Sequence, residues 1–158
     1  MRRNVFTEDH EAFRQVVREF VQSEVVPHYA EWEQAGQFPR EVFAKLGALG
    51  VMGMAIPEAY GGAGIDDYRY YVVLQEEAAK ALVTLGTVRT QLEVVLPYFL
   101  RYANDEQRQR WFPGLAAGRL LTAIAMTEPG TGSDLAGIRT SAVRDGDPYV
   151  LNRAKTFI

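Results

Sequence analysis

Apolar residues recur at helical spacing from the beginning of the chain. Thr7 is suited to cap a first helix, and an apolar stripe follows it at intervals of one, three and four residues. Because proline has no amide hydrogen to donate, Pro27, near the end of the stripe, is expected to stop or kink this helix. The members of the stripe are Phe13, Val16, Val17, Phe20, Val21 and Val25.

Further helices are predicted, each begun or ended by a residue that favours a helix boundary. Proline suits the first helical position, so the second helix opens at Pro39. Asn104 caps the last helix, and Gln107, three residues later, is its capping-box partner. The predicted helices run from Phe38-Pro39 to about Gly50, over Tyr68–Leu82, from about Gly86 to about Tyr102, and onward from Asn104. The first two-thirds of the chain are therefore predicted to be a helical bundle.

The pattern changes after Gly118, where short β-prone runs replace the helical spacing. Leu120–Met126 is an apolar run that predicts a strand, Ile138–Val143 alternates, and Tyr149–Leu151 is short and β-prone. The turn Asp145–Pro148 lies between the last two and predicts a hairpin. Strands without closing partners would leave exposed edges, so we expect the sheet to be incomplete within this sequence.

These patterns predict an α+β fold. An all-α helical bundle over residues 1–119 is followed by the beginning of a β-barrel or sheet domain over residues 120–158. The chain has 158 residues, 47% of them hydrophobic, which allows one modest domain plus part of another.

Composition and charge exclude several classes of function. The chain has no cysteine and two histidines, so disulfides and thiolate chemistry are excluded and no metal site is predicted. A net charge of −3 gives no electrostatic basis for binding nucleic acid or an anionic membrane. The N-terminal residues reach acidic side chains too early for a signal or transit peptide, so a cytoplasmic location is expected.

The segment Met126–Gly137 carries the candidate chemistry. Pro129 fixes one backbone angle, while Gly130 and Gly132 allow a close approach of the backbone to a ligand. Such a loop can direct several N–H donors at a ligand oxygen, and a plain strand-to-strand turn is the alternative. Leu135 stands where the third glycine of a dinucleotide-binding fingerprint would be, and no Gly-Lys-Ser/Thr follows as in a P-loop. Hydroxyl groups come from Thr127, Thr131 and Ser133.

Four motifs in order resemble those of the acyl-CoA dehydrogenase family. Ala125–Asp134 resembles the signature at the start of that family's middle β-domain, and Ile56–Gly62 resembles its Pro-Glu-x-(Tyr/Phe)-Gly-Gly loop. Tyr102–Arg108 resembles its Gly-(Ser/Thr/Asn)-x-x-Gln-(Lys/Arg) helix start. Lys155–Ile158 resembles the opening of its Lys-x-(Trp/Phe)-Ile-Thr-Asn-Gly strand. The resemblance covers the whole chain.

The resemblance implies an N-terminal helical domain, a middle β-domain and a C-terminal helical domain, with FAD bound between the last two. It implies that Ile124, Met126 and Thr127 contact the edge of the flavin ring. The Thr127 hydroxyl or N–H would lie near flavin N5 and O4. Gly132 and Ser133 are implied as contacts of the FAD pyrophosphate or the substrate, and Phe157 as the aromatic residue packed on the flavin, with Ile158 beside it. The cofactor-binding residues so implied are Ile124, Met126, Thr127, Gly132, Ser133, Phe157 and Ile158.

The family reaction, as the resemblance implies it, introduces an α,β double bond into an acyl-CoA thioester and passes the electrons to an electron-transfer flavoprotein. Ser133 and Gln91 are the implied substrate contacts. The family's catalytic glutamate lies in the C-terminal domain in most members, so no catalytic residue is assigned here. Arg139 and Arg144 are interpreted either as contacts of the CoA phosphates or as plain surface. A homo-oligomer is expected of the full-length form.

Two alternatives remain open on sequence alone. A flavin oxidase or monooxygenase could use the same scaffold, because residues outside this chain decide the fate of the reduced flavin. A truncated helical protein without catalytic activity could serve as an interaction module, since uncovered apolar faces favour association.

Overall fold

The computed structural model of the protein describes residues 4–158. These residues form two compact units, one ending at Thr122 and the other beginning at Ala123. The first is helical, and the second contains a β-hairpin, which agrees with the predicted α+β class. The domain boundary predicted between residues 119 and 120 stays a prediction.

The first helical stretch continues past Pro27 rather than stopping there. Helix α1 spans Glu8–Phe20 and leads through a π-helical segment, Val21–Val25, and a 3-10 turn, Val26–His28, into α2, Tyr29–Ala35. A proline removes one helical hydrogen bond and crowds the carbonyl four residues earlier. The wider π-helical turn just before Pro27 relieves this crowding, so the chain remains helical up to Gly36.

The other predicted helices are confirmed with small shifts of their ends. Pro39 lies just outside α3, and Asn104 and Gln107 form the predicted capping box at the start of α6. A second π-helical segment, Thr90–Val95, precedes Pro97 and leads into α5. The helices are α3, Arg40–Ala48; α4, Arg69–Lys80; α5, Leu96–Tyr102; and α6, Asp105–Ala116, with a 3-10 turn at Glu58–Tyr60.

The core of the helical unit is built from the apolar faces of these helices. From the predicted stripe of α1, four members are buried and Phe13 is partly buried, whereas Val16 is 42% exposed. The stripe was therefore predicted one residue too wide. The buried side chains include Val17, Phe20, Val21 and Val25 from the first stretch, Val42, Phe43 and Leu46 from α3, Leu74 and Ala78 from α4, and Phe112 and Leu115 from α6.

A cluster of charges joins α1 to α4. The buried carboxylate of Glu77 accepts hydrogen bonds from Arg14 Nη1 at 3.0 Å, Arg18 Nε at 2.8 Å and Lys80 Nζ at 2.6 Å. Burial by itself would raise the pKa of Glu77, but these three cations outweigh it and lower the pKa to about 2. The charge of Glu77 is thus fully compensated between the two helices.

The predicted hairpin is confirmed, and the predicted strand Leu120–Met126 is wrong. Strand β1, Ser141–Arg144, pairs antiparallel with β2, Tyr149–Asn152, and Ser141 lies opposite Asn152. Residues 120–126 belong to no helix or strand, because no partner strand for them occurs within residues 4–158. Both faces of the hairpin are exposed.

The side chain of Gln91 takes the place of a partner strand for part of residues 120–126. Its Nε2 donates to the Leu120 carbonyl at 3.3 Å, and its Oε1 accepts from the Thr122 N–H at 3.1 Å. An amide side chain offers the same donor and acceptor as a backbone peptide, so Gln91 satisfies two groups that a strand would satisfy.

Across residues 4–158, no helix combines the length and the apolar character needed to cross a membrane.

Candidate functional site

The segment that carries the candidate chemistry begins with a tight four-residue turn. The Glu128 N–H donates to the Thr131 carbonyl and the Thr131 N–H to the Glu128 carbonyl, each at 3.0 Å. Pro129 and Gly130 occupy the exposed tip of this turn. The Thr131 hydroxyl then donates to the Gly137 carbonyl at 3.0 Å, which closes the rest of the loop over a 3-10 turn, Leu135–Gly137.

The carboxylate of Glu128 holds this loop together. Only 6% of the residue is exposed, and its oxygens accept from the N–H groups of Arg139 and Thr140 at 2.9 Å each. The Thr140 hydroxyl donates to it as well, and Lys155 Nζ lies 3.1 Å away. Hydrogen bonds from Thr140 and Arg139, stronger than the opposing effect of burial, lower the pKa of Glu128 to about 2.

The chain end lies alongside the start of the loop. The Thr156 N–H donates to the Thr127 carbonyl at 3.1 Å, and Lys155 Nζ donates to the Met126 carbonyl at 2.9 Å. Phe157 and Ile158 follow directly and are 94% and 74% exposed. The structure therefore brings residues 126–127 and 155–156 together, although they are far apart in sequence.

The two glycines of the signature have free space around them. At Gly130 and at Gly132, a Cβ atom would meet no other atom within 4 Å, and neither residue has a positive φ. Neither packing nor backbone conformation within the described chain therefore requires glycine at these positions. Close approach of another group to the backbone is one physical reason for a glycine at such positions, and the open space at Gly130 and Gly132 permits it.

The remaining predicted site residues differ in their surroundings. Ile124 and Met126 are half-buried, and Ser133 is exposed on the loop. Gln91, a predicted substrate contact, is only 4% exposed in the helical unit, and both ends of its amide bind backbone groups. A substrate role for Gln91 stays a prediction, and the observed bonds give it a structural role in addition.

Sequence reasoning missed Glu128 as the residue that organises the loop. No pattern signals it, because its partners lie 11 to 27 residues away and two of the bonds come from backbone N–H groups. His10, one of the two histidines of the chain, is buried, with only 2% of the residue exposed. Its Nδ1 accepts from the Thr7 N–H, and its Nε2 lies 3.2 Å from Asp67 Oδ2.

No cluster of three or more potential metal-ligating side chains occurs in the described part of the chain. The polar groups of the loop are hydroxyls, amides and one carboxylate that is already bonded by four donors. This set suits hydrogen bonding to an organic ligand rather than coordination of a cation.

Comparison with known proteins identifies the family. Residues 7–119 match the family model described as "Acyl-CoA dehydrogenase, N-terminal domain". The chain is similar to the mitochondrial long-chain specific acyl-CoA dehydrogenase of Sus scrofa, with 44% identity over 99% of this chain and 36% of the relative. The chain belongs to the acyl-CoA dehydrogenase family.

Solved structures of relatives agree in fold. An acyl-CoA dehydrogenase from Geobacillus kaustophilus superposes with a TM-score of 0.89 at 44% identity, over 98% of this chain and 40% of that one. A glutaryl-CoA dehydrogenase from Mycobacterium smegmatis in complex with FADH2 gives a TM-score of 0.84 at 33% identity, over 95% and 39% of the two chains. This chain thus spans somewhat more than a third of the length of the relatives it matches.

Proposed function

We propose that this chain contributes the N-terminal helical domain and a flavin-contacting loop to an FAD-dependent acyl-CoA dehydrogenase. The observation that carries the proposal is the juxtaposition of residues 126–127 with 155–156, directly before Phe157 and Ile158, beside a loop whose two glycines have open space around them. Family membership supports it, as does the FADH2 complex of the Mycobacterium smegmatis relative.

Residues near Thr127 would hold and orient the flavin. Ile124 and Met126 would provide apolar contact at the edge of the ring, and the Thr127 hydroxyl or N–H would donate a hydrogen bond to it. Phe157 would pack its aromatic face on the ring, with Ile158 beside it, and phenylalanine supplies the π-face without an indole donor. The exposure of Phe157 and Ile158 leaves their side chains available for this contact. The flavin, when bound, would supply the hydride acceptor for the oxidation.

The other end of the loop would bind phosphate and substrate. Gly132 permits the backbone to approach the FAD pyrophosphate, and the Ser133 hydroxyl would donate to it or to the acyl-CoA. Gln91, in the helical unit, would contact the acyl-CoA substrate. No residue of this chain is assigned as the base that removes the α-proton.

The same proposal extends to partners and location. Acyl-CoA would be the substrate, an electron-transfer flavoprotein would take up the electrons, and the full-length form would be a homo-oligomer. A cytoplasmic location stays a prediction, because the Sus scrofa relative is described as mitochondrial.

The test uses a chimera, since this chain spans about two-fifths of the Geobacillus kaustophilus enzyme. Residues 1–158 replace the matching part of that enzyme, and the FAD content of the purified chimera is measured from its visible flavin absorption. We expect stoichiometric FAD, with the dissociation constant raised about tenfold by Thr127→Val and by Ser133→Ala, because each removes one hydrogen bond to the cofactor.

Ser141→Ala is the matched control, because Ser141 lies on the exposed strand β1 and has no predicted role. A chimera that folds and assembles like the parent enzyme but holds no FAD would contradict the proposal. Equal FAD affinity in all three variants and the unsubstituted chimera would contradict the assigned roles of Thr127 and Ser133.

A further inference from the structure

The side chain of Lys155 bonds to the residues on both sides of Thr127. Its Nζ donates to the Met126 carbonyl at 2.9 Å and to the Glu128 carboxylate at 3.1 Å. Only 22% of the Lys155 side chain is exposed. An ammonium group carries three N–H donors, and two of them are used on the chain that leads into and out of Thr127. A side chain 27 residues beyond Glu128 thus holds this short segment.

The bond to the Met126 carbonyl fixes the direction of the Thr127 N–H. Both groups belong to one peptide unit, which is planar and trans, so its C=O and its N–H point in opposite directions. With the carbonyl held by the ammonium group, the peptide directs the Thr127 N–H away from Lys155. Within residues 4–158 this N–H has no acceptor. It is therefore a directed donor that a bound group can use.

The peptide unit that follows Thr127 is held as well. The Thr156 N–H donates to the Thr127 carbonyl at 3.1 Å, and the Glu128 N–H in the same unit donates to the Thr131 carbonyl at 3.0 Å. Both peptide units of Thr127 are therefore fixed before any ligand arrives, the first of them by Lys155. A binding group that is already ordered spares the ligand part of the entropy cost of ordering it.

The charge of Lys155 is balanced, so its effect on the segment is one of position. Glu128 is its ion-pair partner, and only 5% of that side chain is exposed. Without Lys155, the Glu128 carboxylate would keep three donors, the N–H groups of Arg139 and Thr140 and the Thr140 hydroxyl. Loss of the ammonium group would therefore release the Met126 carbonyl and leave the loop closed.

We propose that Lys155 is a positioning residue that aims the N–H of Thr127 and thereby directs the hydrogen bond that Thr127 would donate to the flavin. The identity of the acceptor rests on the proposed function. The direction of the donor rests on the bonds that Lys155 makes to Met126 and Glu128. Lys155 acts through Thr127 and is not itself a contact of the cofactor.

The first test is made on the 158-residue chain by nuclear magnetic resonance of the backbone amides. In Lys155→Met we expect the Thr127 amide signal to move and the Thr156 amide to exchange its hydrogen about tenfold faster, because the bonds that hold these peptides weaken. The two backbone amides bonded to Glu128 should exchange as in the unsubstituted chain. Lys155→Arg, which keeps the charge and the donors, should restore the protection of the Thr156 amide.

Lys45→Met is the matched control, because Lys45 is exposed and forms its ion pair in the helical unit. It should change none of these signals. Unchanged signals of Thr127 and Thr156 in Lys155→Met would overturn the proposal. Faster exchange of the two amides bonded to Glu128 would overturn it too, since Lys155 would then hold the whole loop rather than aim one N–H.

The second test reads the flavin bound to the chimera with the Geobacillus kaustophilus enzyme. Lys155→Met should raise the FAD dissociation constant about tenfold and shift the visible flavin band, because one hydrogen bond to the ring loses its direction. Lys155→Arg and Lys45→Met should keep both close to those of the unsubstituted chimera. An unsubstituted chimera without FAD would refute the proposed function, and with it the flavin as acceptor. Equal affinity and an unshifted band in Lys155→Met would overturn the positioning role while the proposed function stands.

Discussion

Glu128 lies at the centre of the hydrogen bonds that hold residues 127–140 in place, and its charge gives this loop a defined pH dependence. A carboxyl group with a lowered folded-state pKa contributes stability that is complete above its unfolded pKa, about 4.3 for glutamate, and is lost as the pH falls. The folded-state pKa of Glu128 is about 2, so the contribution declines between these two values and is gone below the lower one.

We therefore expect the amide signals of Arg139 and Thr140 to stay constant as the pH is lowered through the ordinary range of glutamate. Both N–H groups donate to Glu128, so nuclear magnetic resonance of the backbone amides reports its protonation directly. These signals should respond only at lower pH, near the pKa of Glu128 of about 2, and in Glu128→Gln that response should be absent. A midpoint near the ordinary glutamate pKa in the unsubstituted chain would contradict the bonding described for this carboxylate.

Glu77 offers a second prediction at the level of single residues. Glu77→Gln removes a buried charge that three cations share and leaves Arg14, which is 7% exposed, with only Glu11 and Glu76. We expect the free energy of unfolding to fall by about 1–3 kcal/mol, because the neutral amide weakens the hydrogen bonds that Glu77 accepts from three charged donors. Urea unfolding followed by circular dichroism measures it.

The control for Glu77 is Glu19→Gln. Glu19 is exposed, and within residues 4–158 its carboxylate bonds only to the side chain of Gln15 one turn away, so its loss should cost less than about 0.5 kcal/mol. Equal effects of the two substitutions would show that the buried cluster contributes no more than a surface charge.

The helices could be predicted from the sequence because their signals are local. The apolar stripe of α1 and the Asn104–Gln107 box of α6 each lie within a few turns of the residues they organise. The π-helical segments Val21–Val25 and Thr90–Val95 were not predicted. Each ends two residues before a proline, so Pro27 and Pro97 are the signals that could have indicated them.

Removal of the α6 cap tests the role assigned to it. Asn104 Oδ1 accepts from the Gln107 N–H at 2.9 Å, and Gln107 Oε1 accepts from the Asn104 N–H at 3.0 Å. Asn104→Ala should lower the free energy of unfolding by about 1 kcal/mol, the usual cost of an N-cap. Gln109→Ala on the exposed surface of α6 should be neutral, and a cost as large as that of Asn104→Ala would refute the cap as the cause.

Glycines at the ends of two helices allow the cost of backbone strain to be distinguished from the cost of a steric clash. Gly36 ends α2 and Gly118 follows α6, with φ of 64° and 66°, so alanine is similarly strained at both. A Cβ at Gly36 meets nothing within 4 Å, whereas at Gly118 it would lie 2.0 Å from the Phe43 carbonyl oxygen. Gly118→Ala should therefore destabilise the chain by about 1–3 kcal/mol more than Gly36→Ala in urea unfolding. Equal costs would contradict this packing.

At the scale of the whole molecule, the sequence predicted the α+β class and the hairpin but misplaced the strand at residues 120–126. A strand depends on a partner that local pattern does not reveal, and here the side chain of Gln91 bonds part of that segment instead. The candidate loop was found from its glycines and hydroxyls and from the resemblance to a family. Its internal bonds through Glu128 and Lys155 connect distant positions, so periodicity could not predict them.

The most direct measurement of the proposed function is anaerobic reduction of FAD in the chimera described above by an acyl-CoA thioester. If the chain contributes a working part of an acyl-CoA dehydrogenase, the thioester bleaches the visible flavin band without oxygen, and the reduced flavin then reoxidises slowly in air until an electron-transfer flavoprotein is added. A flavin-loaded chimera that no acyl-CoA can bleach would contradict the account.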